Sequence, residues 1–478
     1  MRRLIVALVA CSPPAPPPCG AATPDPAIST ALTDGTAAVY WSAESAPFEL
    51  DAPDRAWFEC PRPIAHAFER MPDIAFAPAD SSPAIEIDPA TRDQTILGIG
   101  ISMEQASVTN LLALSPAKQD EVLTRMFDPE RGMGVSLVRV TIGTSDFAAL
   151  PWYTYEDEPG RFSVQRDVDT GIVGVLQRIR RINPDVVMFA SPWSPPAWMK
   201  TSDRITGGAL RDDAIPALAT YLREFVAAYR DLGLPIAALT LQNEPRADNP
   251  AMPSCVVTGA QAGMLAKAVK QELRAAGLST AVWIYDHNFD AAVDYASDAF
   301  ADPDARAASD GVAFHDYAGD PEEMADVHAK FPEQAIVFTE KTLWGVAGVA
   351  RAVAYFRAGS TSYVSWVAML DQDGQPNAGP NTDKPRRFVR SLAGDDYWAT
   401  PEHFLFGLFS RLVRPGAQRI ASTEGAAFLN PDGRIVAILT NESDATRSLT
   451  LRAQGRQLAA TLPPHSAAAY TWACTSCR

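Results

Sequence analysis

The sequence predicts an α/β chain, a (β/α)8 TIM barrel carrying a side all-β sandwich. Three observations support that expectation. From about residue 95, short apolar runs alternate with segments of helical periodicity, the rhythm of repeated βα units on a parallel sheet. Eight such runs precede residue 395, and roughly 250 residues is the usual size of an eight-unit barrel. Beyond that point the texture changes to short strands joined by turn signals. A doubly wound sheet is the structural rival, but no GxGxxG follows an early strand, and Gly98-Ile99-Gly100 is too short for that fingerprint.

The chain opens "MRRLIVALVACSPPAPPPCG". Two arginines precede an apolar run, Leu4 to Ala10, that is too short to span a bilayer and fits an export signal. Leu8-Val9-Ala10-Cys11 resembles a bacterial lipobox, which would lipidate Cys11 and attach the chain to a membrane. The expected location is therefore exported: a cell-surface or periplasmic lipoprotein, or a secreted protein. Residues 1–45 read as this signal followed by a Pro-, Ala-, Thr- and Ser-rich tether without packed structure. Residues 46–92 read as N-terminal strands of the side sandwich, 93–394 as the barrel and 395–478 as the rest of the sandwich.

The eight barrel runs are Ile96 to Ile101, Val135 to Ile142, Val186 to Ala190, Ala237 to Leu241, Ala281 to Tyr285, Val312 to Phe314, Ile336 to Phe338 and Tyr363 to Leu370. Between them, "SPAKQDEVLTRMF" starts a helix with Ser115 as cap and Pro116 at the first helical position. "AIPALATYLREFVAAYRDLG" and "TGAQAGMLAKAVKQELRAAG" carry apolar residues at a 3.6 period and stop at Gly233 and Gly277. In the C-terminal part, Pro431-Asp432-Gly433 marks a hairpin. The six cysteines, Cys11, Cys19, Cys60, Cys255, Cys474 and Cys477, show no disulfide-dense spacing. Cys474 and Cys477 lack the second ligand pair of a metal site, which leaves a terminal disulfide or two free thiols.

A net charge of −16 argues against nucleic acid as a partner, because that binding rests on Lys and Arg releasing counterions. The six histidines show no HxH or HExxH spacing, so neither a metal nor another cofactor is expected. In a barrel of this kind, catalytic side chains sit just past the C-terminal ends of strands. After the fourth run comes Asn243-Glu244-Pro245, and after the seventh comes Glu340, three βα units later. Two carboxylates facing each other across a barrel mouth suit glycoside hydrolysis, in which one acid protonates the leaving oxygen and the other attacks the anomeric carbon. Trp193 and Trp198 in a Pro-stiffened loop, with Trp366 on the eighth run, offer indole faces to a sugar. His315 and Tyr317 follow strand six, where a phenol could hydrogen-bond a nucleophile's carboxylate. Arg139 on strand two is an unusual guest in a buried strand and needs a carboxylate, for which Glu340 is the candidate.

"GIGISMEQASVTNLLALSP", "TSDF", "YTYED", "FSVQRD", "ASPWSPPAWMKT", "LTLQNEP", "HDYAGDP", "FTE", "GQPN" and "RPGAQRI" occur in this order. From about residue 90 to the C-terminus the chain thereby resembles glycoside hydrolase family 30, the glucosylceramidase and endo-β-1,6-glucanase group. The resemblance implies a barrel fused to a side β-sandwich, a carbohydrate substrate and a retaining double displacement, with Glu244 as acid/base and Glu340 as nucleophile. It implies that Asn243 holds the sugar's 2-hydroxyl and that Trp193, Trp366 and Asn377 line the glycone site. Glu104-Gln105 stands where glucosylceramidases have Thr-Asp, and Val367 where many members have Asn. Both positions help recognise sugar hydroxyls in the family, so the glycone stays open among β-glucosides, β-galactans and β-xylosides. The usual split between paired carboxylates predicts a raised pKa for Glu244. A catalytically inactive surface carbohydrate-binding protein is the alternative from another functional class.

Overall fold

The computed structural model describes residues 20–26, 35–44, 56–61, 64–474 and 477. Cys11 and the lipobox lie outside them. The barrel is one eight-stranded parallel sheet: β1 (Gly98–Ser102), β2 (Leu137–Ile142), β3 (Val187–Pro192), β4 (Ala238–Thr240), β5 (Ala281–Asn288), β6 (Gly311–His315), β7 (Ala335–Glu340) and β8 (Ser362–Ser365). β8 pairs with β1, and the ring closes between β7 and β8 where the Thr361 N–H donates to the Ile336 carbonyl and the Lys341 N–H to the Val364 carbonyl. Each predicted run overlaps one of these strands, although most strands extend beyond the run at one or both ends. The last is split, since Met369–Asp371 leaves the barrel for a small sheet with Phe388–Arg390 and Tyr397–Ala399. Gly100 is required by a close approach, because a Cβ there would lie 2.8 Å from the Leu137 carbonyl oxygen on β2.

The helices start and stop on their sequence signals. Gly259–Ala275 opens with a capping box, Thr258 accepting from the Gln261 N–H, and Gly277 adopts φ +66° behind it. Pro116–Phe127 has Ser115 at its cap position, but the hydroxyl makes no cap bond.

The side domain is a ten-stranded sheet curled over its own apolar face, with Trp41, Ile87, Leu439, Leu451, Leu462 and Trp472 inside. Its other face meets the barrel through Phe356 on the helix Gly345–Arg357, edge-on to Phe428 at 5.3 Å. The N-terminal part corrects the expected boundaries. Thr36–Ala43 is no tether but an inner strand, paired on one side with His66–Ala75 and on the other with Ser466–Ala473. Its apolar run, Ala37 to Trp41, is buried, and the Ala- and Ser-rich composition around it concealed the strand. Residues 20–26 also pack against the barrel, Asp25 accepting two bonds from Arg125 at 2.6 and 2.8 Å. The strand Ile85–Thr95 carries the sandwich past residue 92. Cys474 and Cys477 form a disulfide, whereas Cys255 is a buried free thiol.

Candidate active site

The barrel interior is built in two layers. At the N-terminal end Leu137, Phe189, Ala238, Trp283, Ala313, Val337 and Val364 form a buried apolar plug. One pleat higher the inward positions turn polar while staying buried: Arg139, Ser191, Thr240, Asp286, His315 and Thr339. Asp286 is the hub of that layer. It accepts from Arg139 Nη2 at 2.9 Å, Ser191 Oγ at 2.9 Å, Thr240 Oγ1 at 2.8 Å and Thr339 Oγ1 at 2.6 Å, and lies 3.1 Å from His315 Nε2. Burial pushes this carboxyl up, but Arg139 and His315 outweigh it and hold it far below the usual carboxylate range.

Sequence reasoning missed Asp286 for a local reason. Period-two alternation from Trp283 puts Tyr285 inside and Asp286 outside. The pairing of β5 with β6 slips by one residue at this point, and Tyr285 and Asp286 take φ of +76° and +55°. The extra residue turns Tyr285 outward against Tyr295, 5.1 Å between ring centroids, and Asp286 inward. The one legible signal was an acid inside the apolar run "AVWIYDHN".

The polar layer supports two carboxylates at the mouth. Glu340 ends β7, and both of its oxygens are served: Arg139 Nη1 donates to Oε2 and Tyr317 Oη to Oε1 at 2.9 Å. Glu244 follows β4 with φ +46°, a left-handed backbone that costs a non-glycine residue about 1–2 kcal/mol. Two strands hold it there, the Glu244 N–H donating to the Asp286 carbonyl and the Asn243 N–H to the Pro192 carbonyl. Pro245 behind it disfavours right-handed helix at Glu244. His315 ties the acids together, its Nδ1 3.3 Å from Glu244 Oε1 and its Nε2 3.8 Å from Glu340 Oε2.

The expectation of a raised Glu244 pKa is not met. Burial pushes Glu244 up, yet the hydrogen bond and charge of His315 pull it below its ordinary value. Burial opposes charging His315, but Glu340 and Asp286 prevail and raise it to about 9. The proton of this pair therefore rests on the imidazole.

The remaining predicted residues divide by what they touch. Asn243 Oδ1 accepts from Arg139 Nη2 at 2.9 Å, which fixes the amide beside Glu340. Tyr317, 45% exposed, stands at the mouth. Trp193 and Trp366 stack on each other with centroids 5.2 Å apart, and the Arg139 guanidinium lies over both rings. At 2% and 4% exposure they offer an edge, not the open faces that were expected. Trp198 turns away, its Nε1 donating to the Glu156 carbonyl. Arg139, His315 and Glu104 are completely buried and do not meet a substrate directly; Arg139 pairs with Glu340, the partner its place in a buried strand suggested, and His315 acts through Glu244 and Glu340. Glu104 Oε2 accepts from Ser107, and Gln105 Oε1 accepts the Ala149 N–H at the loop after β2. Asn377 spends its amide on its own loop, with Gly379 N–H and the Asn381 carbonyl as partners, and it is Asn381 that reaches Asp146 at 2.6 Å. Asp146 was not singled out, although it follows the end of β2 as Glu244 follows β4. Its burial, with the nearby charges of Glu340 and Glu244, raises it to about 7.

Comparison with known proteins agrees with this architecture. The family model for the glycosyl hydrolase family 30 TIM-barrel domain matches residues 96–375, and that for the family 30 beta sandwich domain matches residues 416–470. An endo-1,6-beta-D-glucanase of Neurospora crassa is 28% identical over 392 residues, covering 77% of this chain and 80% of that protein. The lysosomal acid glucosylceramidase of Mus musculus is 26% identical over 431 residues, covering 81% and 83%. A solved endo-β-1,6-glucanase superposes with a TM-score of 0.82 at 26% identity, covering 92% of this chain and all of that one.

Proposed function

Because the chain belongs to glycosyl hydrolase family 30, and so is a glycoside hydrolase with a carbohydrate substrate, we propose that it cleaves β-linked glucosides or oligosaccharides with retention. The observation that carries this reading is the convergence of Glu340 and Glu244 on one imidazole at the barrel mouth. In the proposed cycle Glu340 attacks the anomeric carbon while Glu244, taking up the proton that His315 Nδ1 holds 3.3 Å from it, passes that proton to the glycosidic oxygen. The glycosyl ester on Glu340 is then hydrolysed by a water from which Glu244 takes the proton. Tyr317 and Arg139 fix both oxygens of Glu340 and so orient it for attack. Arg139 also clamps Asn243 beside Glu244, so one guanidinium sets the spacing of nucleophile and sugar-binding amide.

Among substrates we place β-1,6-glucan first and glucosylceramide second, the two activities named for its relatives. Hydrolysis of both, with β-galactosides and β-xylosides as controls, ranks them. The mechanism is tested by Glu340→Gln, expected to abolish turnover, and by Glu244→Ala, expected to slow aryl glycosides with good leaving groups far less than oligosaccharides. A 2-fluoro glycoside should label Glu340. Wild-type turnover in both variants would sink the assignment, and substrate binding without turnover by the unaltered chain would point to an inactive binding protein.

A further inference from the structure

One buried group at the mouth has no task in the cycle above. His287 follows Asp286 on β5 and is 8% exposed, yet its Nδ1 has no hydrogen-bond partner among the described residues. It points to Glu244, 3.9 Å from Oε1, on the side where His315 Nδ1 approaches the same oxygen at 3.3 Å. One donor atom from each of the three residues falls within a common 4.8 Å. We propose that Glu244, His287 and His315 form a site for one divalent transition-metal ion of the zinc class, and that its occupancy blocks the proton donor.

The donor chemistry fits. Two imidazoles and a carboxylate suit zinc-like ions, with a fourth position left for water. His315 has the outer support of such a ligand, Asp286 facing its Nε2 and leaving Nδ1 for the ion. Bonds of about 2.0–2.2 Å require the donors to draw closer than they stand. Rotation of His287 supplies that movement without breaking a hydrogen bond of its Nδ1. Glu244, with a side chain 22% exposed, is the open side of the site. On binding, the ion replaces the proton held between His315 Nδ1 and Glu244 Oε1, and that proton is released to water. Simple motif spacing could not show this group, since His287 and His315 come from different strands and meet only through the slip in β5.

Binding of the ion does not depend on Glu244 being the proton donor, whereas the inhibition rests on that reading. The experiment separates them. Zn2+ is titrated into the full chain against a chelating dye, while hydrolysis of an aryl β-glycoside is followed at the same free Zn2+. The expected result is one equivalent bound, a loss of hydrolysis that tracks occupancy, and recovery on adding chelator. His287→Gln and Glu244→Gln should each weaken binding by about tenfold or more. Thermal denaturation confirms folding of each variant, and a Zn2+-dependent rise in Tm, present in the unaltered chain and reduced in both variants, gives a second reading of binding. No bound equivalent, equal binding in both variants, or full occupancy with unchanged hydrolysis overturns the proposal. If Glu244 is not the proton donor, the failure looks different: Glu244→Gln keeps its turnover while the Zn2+ titration is still read.

Discussion

Two buried carboxylates, Asp286 in the barrel and Asp167 beneath the loop after β2, show how the same group is put to different uses. Asp286 is enclosed by five partners and Asp167 by three. Asp167 accepts from the hydroxyls of Tyr153 at 2.7 Å, Tyr155 at 2.6 Å and Tyr229. Asp286 accepts from three hydroxyls as well, but faces Arg139 and His315 in addition. Burial drives both carboxyls upward. The tyrosines only soften that rise at Asp167, which stays above its ordinary value, whereas the two cations reverse it at Asp286. Hydroxyls offset part of the desolvation of the ion, and the nearby cations complete it at Asp286. Asp167 therefore braces a loop, and Asp286 sets the charge of the groups that hold Glu340 and Glu244.

The largest loss is expected on removing Asp286, the carboxylate with cations around it. Asp286→Ala leaves Arg139 and His315 buried with Glu340 as their one remaining shared carboxylate, and breaking a buried pair in this way costs about 3–5 kcal/mol. Catalysis should fall with it, by on the order of 100-fold or more in kcat/KM, because Arg139 loses the contact that aims it at Glu340 and Asn243. Chemical denaturation and steady-state kinetics measure the two effects. A variant within about 1 kcal/mol of the unaltered chain would show that the hub is dispensable, and with it the electrostatic reading of the layer.

How far this could be read from sequence depends on whether a feature is periodic. The eight strands, the helix stops at Gly233 and Gly277 and the Pro431-Asp432-Gly433 turn, where Gly433 takes φ +82°, follow local rules and were legible. So was the placing of Glu244 and Glu340 after strand ends, since that follows from counting βα units. Asp286 and His287 were not, because the slip in β5 inverts the alternation from which facing is inferred. Thr36–Ala43 was hidden by its Ala and Ser content, although its register with Ser466–Ala473 makes it an inner strand. Trp193 and Trp366 were recognised as residues of the mouth, but their mutual stacking, which depends on two loops meeting, left no trace in either segment.

Glu104 sharpens the comparison, for it has neither a cation contact nor a set of hydroxyls. Its Oε2 has Ser107, its Oε1 has no partner among the described residues, and burial raises it to about 8. The sign follows from which state holds the proton. Between about 4.5 and 8 the folded chain keeps Glu104 protonated while the unfolded chain releases it, so stability falls as pH rises through that window. Glu104→Gln removes the titration and keeps the shape. At pH 8.5 it should stabilise the fold by on the order of 1–3 kcal/mol relative to its effect at pH 5, read as a shallower fall of Tm with pH. Parallel Tm profiles would show that the carboxyl ionises without penalty.

The smallest effect is expected at Asp167, and its smallness is the informative part. Asp167→Asn keeps an oxygen acceptor for the tyrosine hydroxyls and removes only a charge that no cation balances. The folded-state pKa lies above the unfolded value, so the charged form is disfavoured by folding, and the penalty grows as pH rises through the folded pKa. The amide escapes that penalty but brings an NH2 that must find an acceptor among the same hydroxyls. The two changes oppose each other, and the net shift should stay within about 1 kcal/mol at neutral pH. Turnover should be unchanged, since Asp167 bonds to tyrosine hydroxyls and not to any group that holds Glu244 or Glu340. The decisive measurement is kcat/KM for the two aspartate variants side by side. Equal losses would mean that the loop after β2 transmits to the mouth as strongly as the barrel hub does. A loss confined to the Asp286 variant would locate the catalytic electrostatics in the cation-bearing layer.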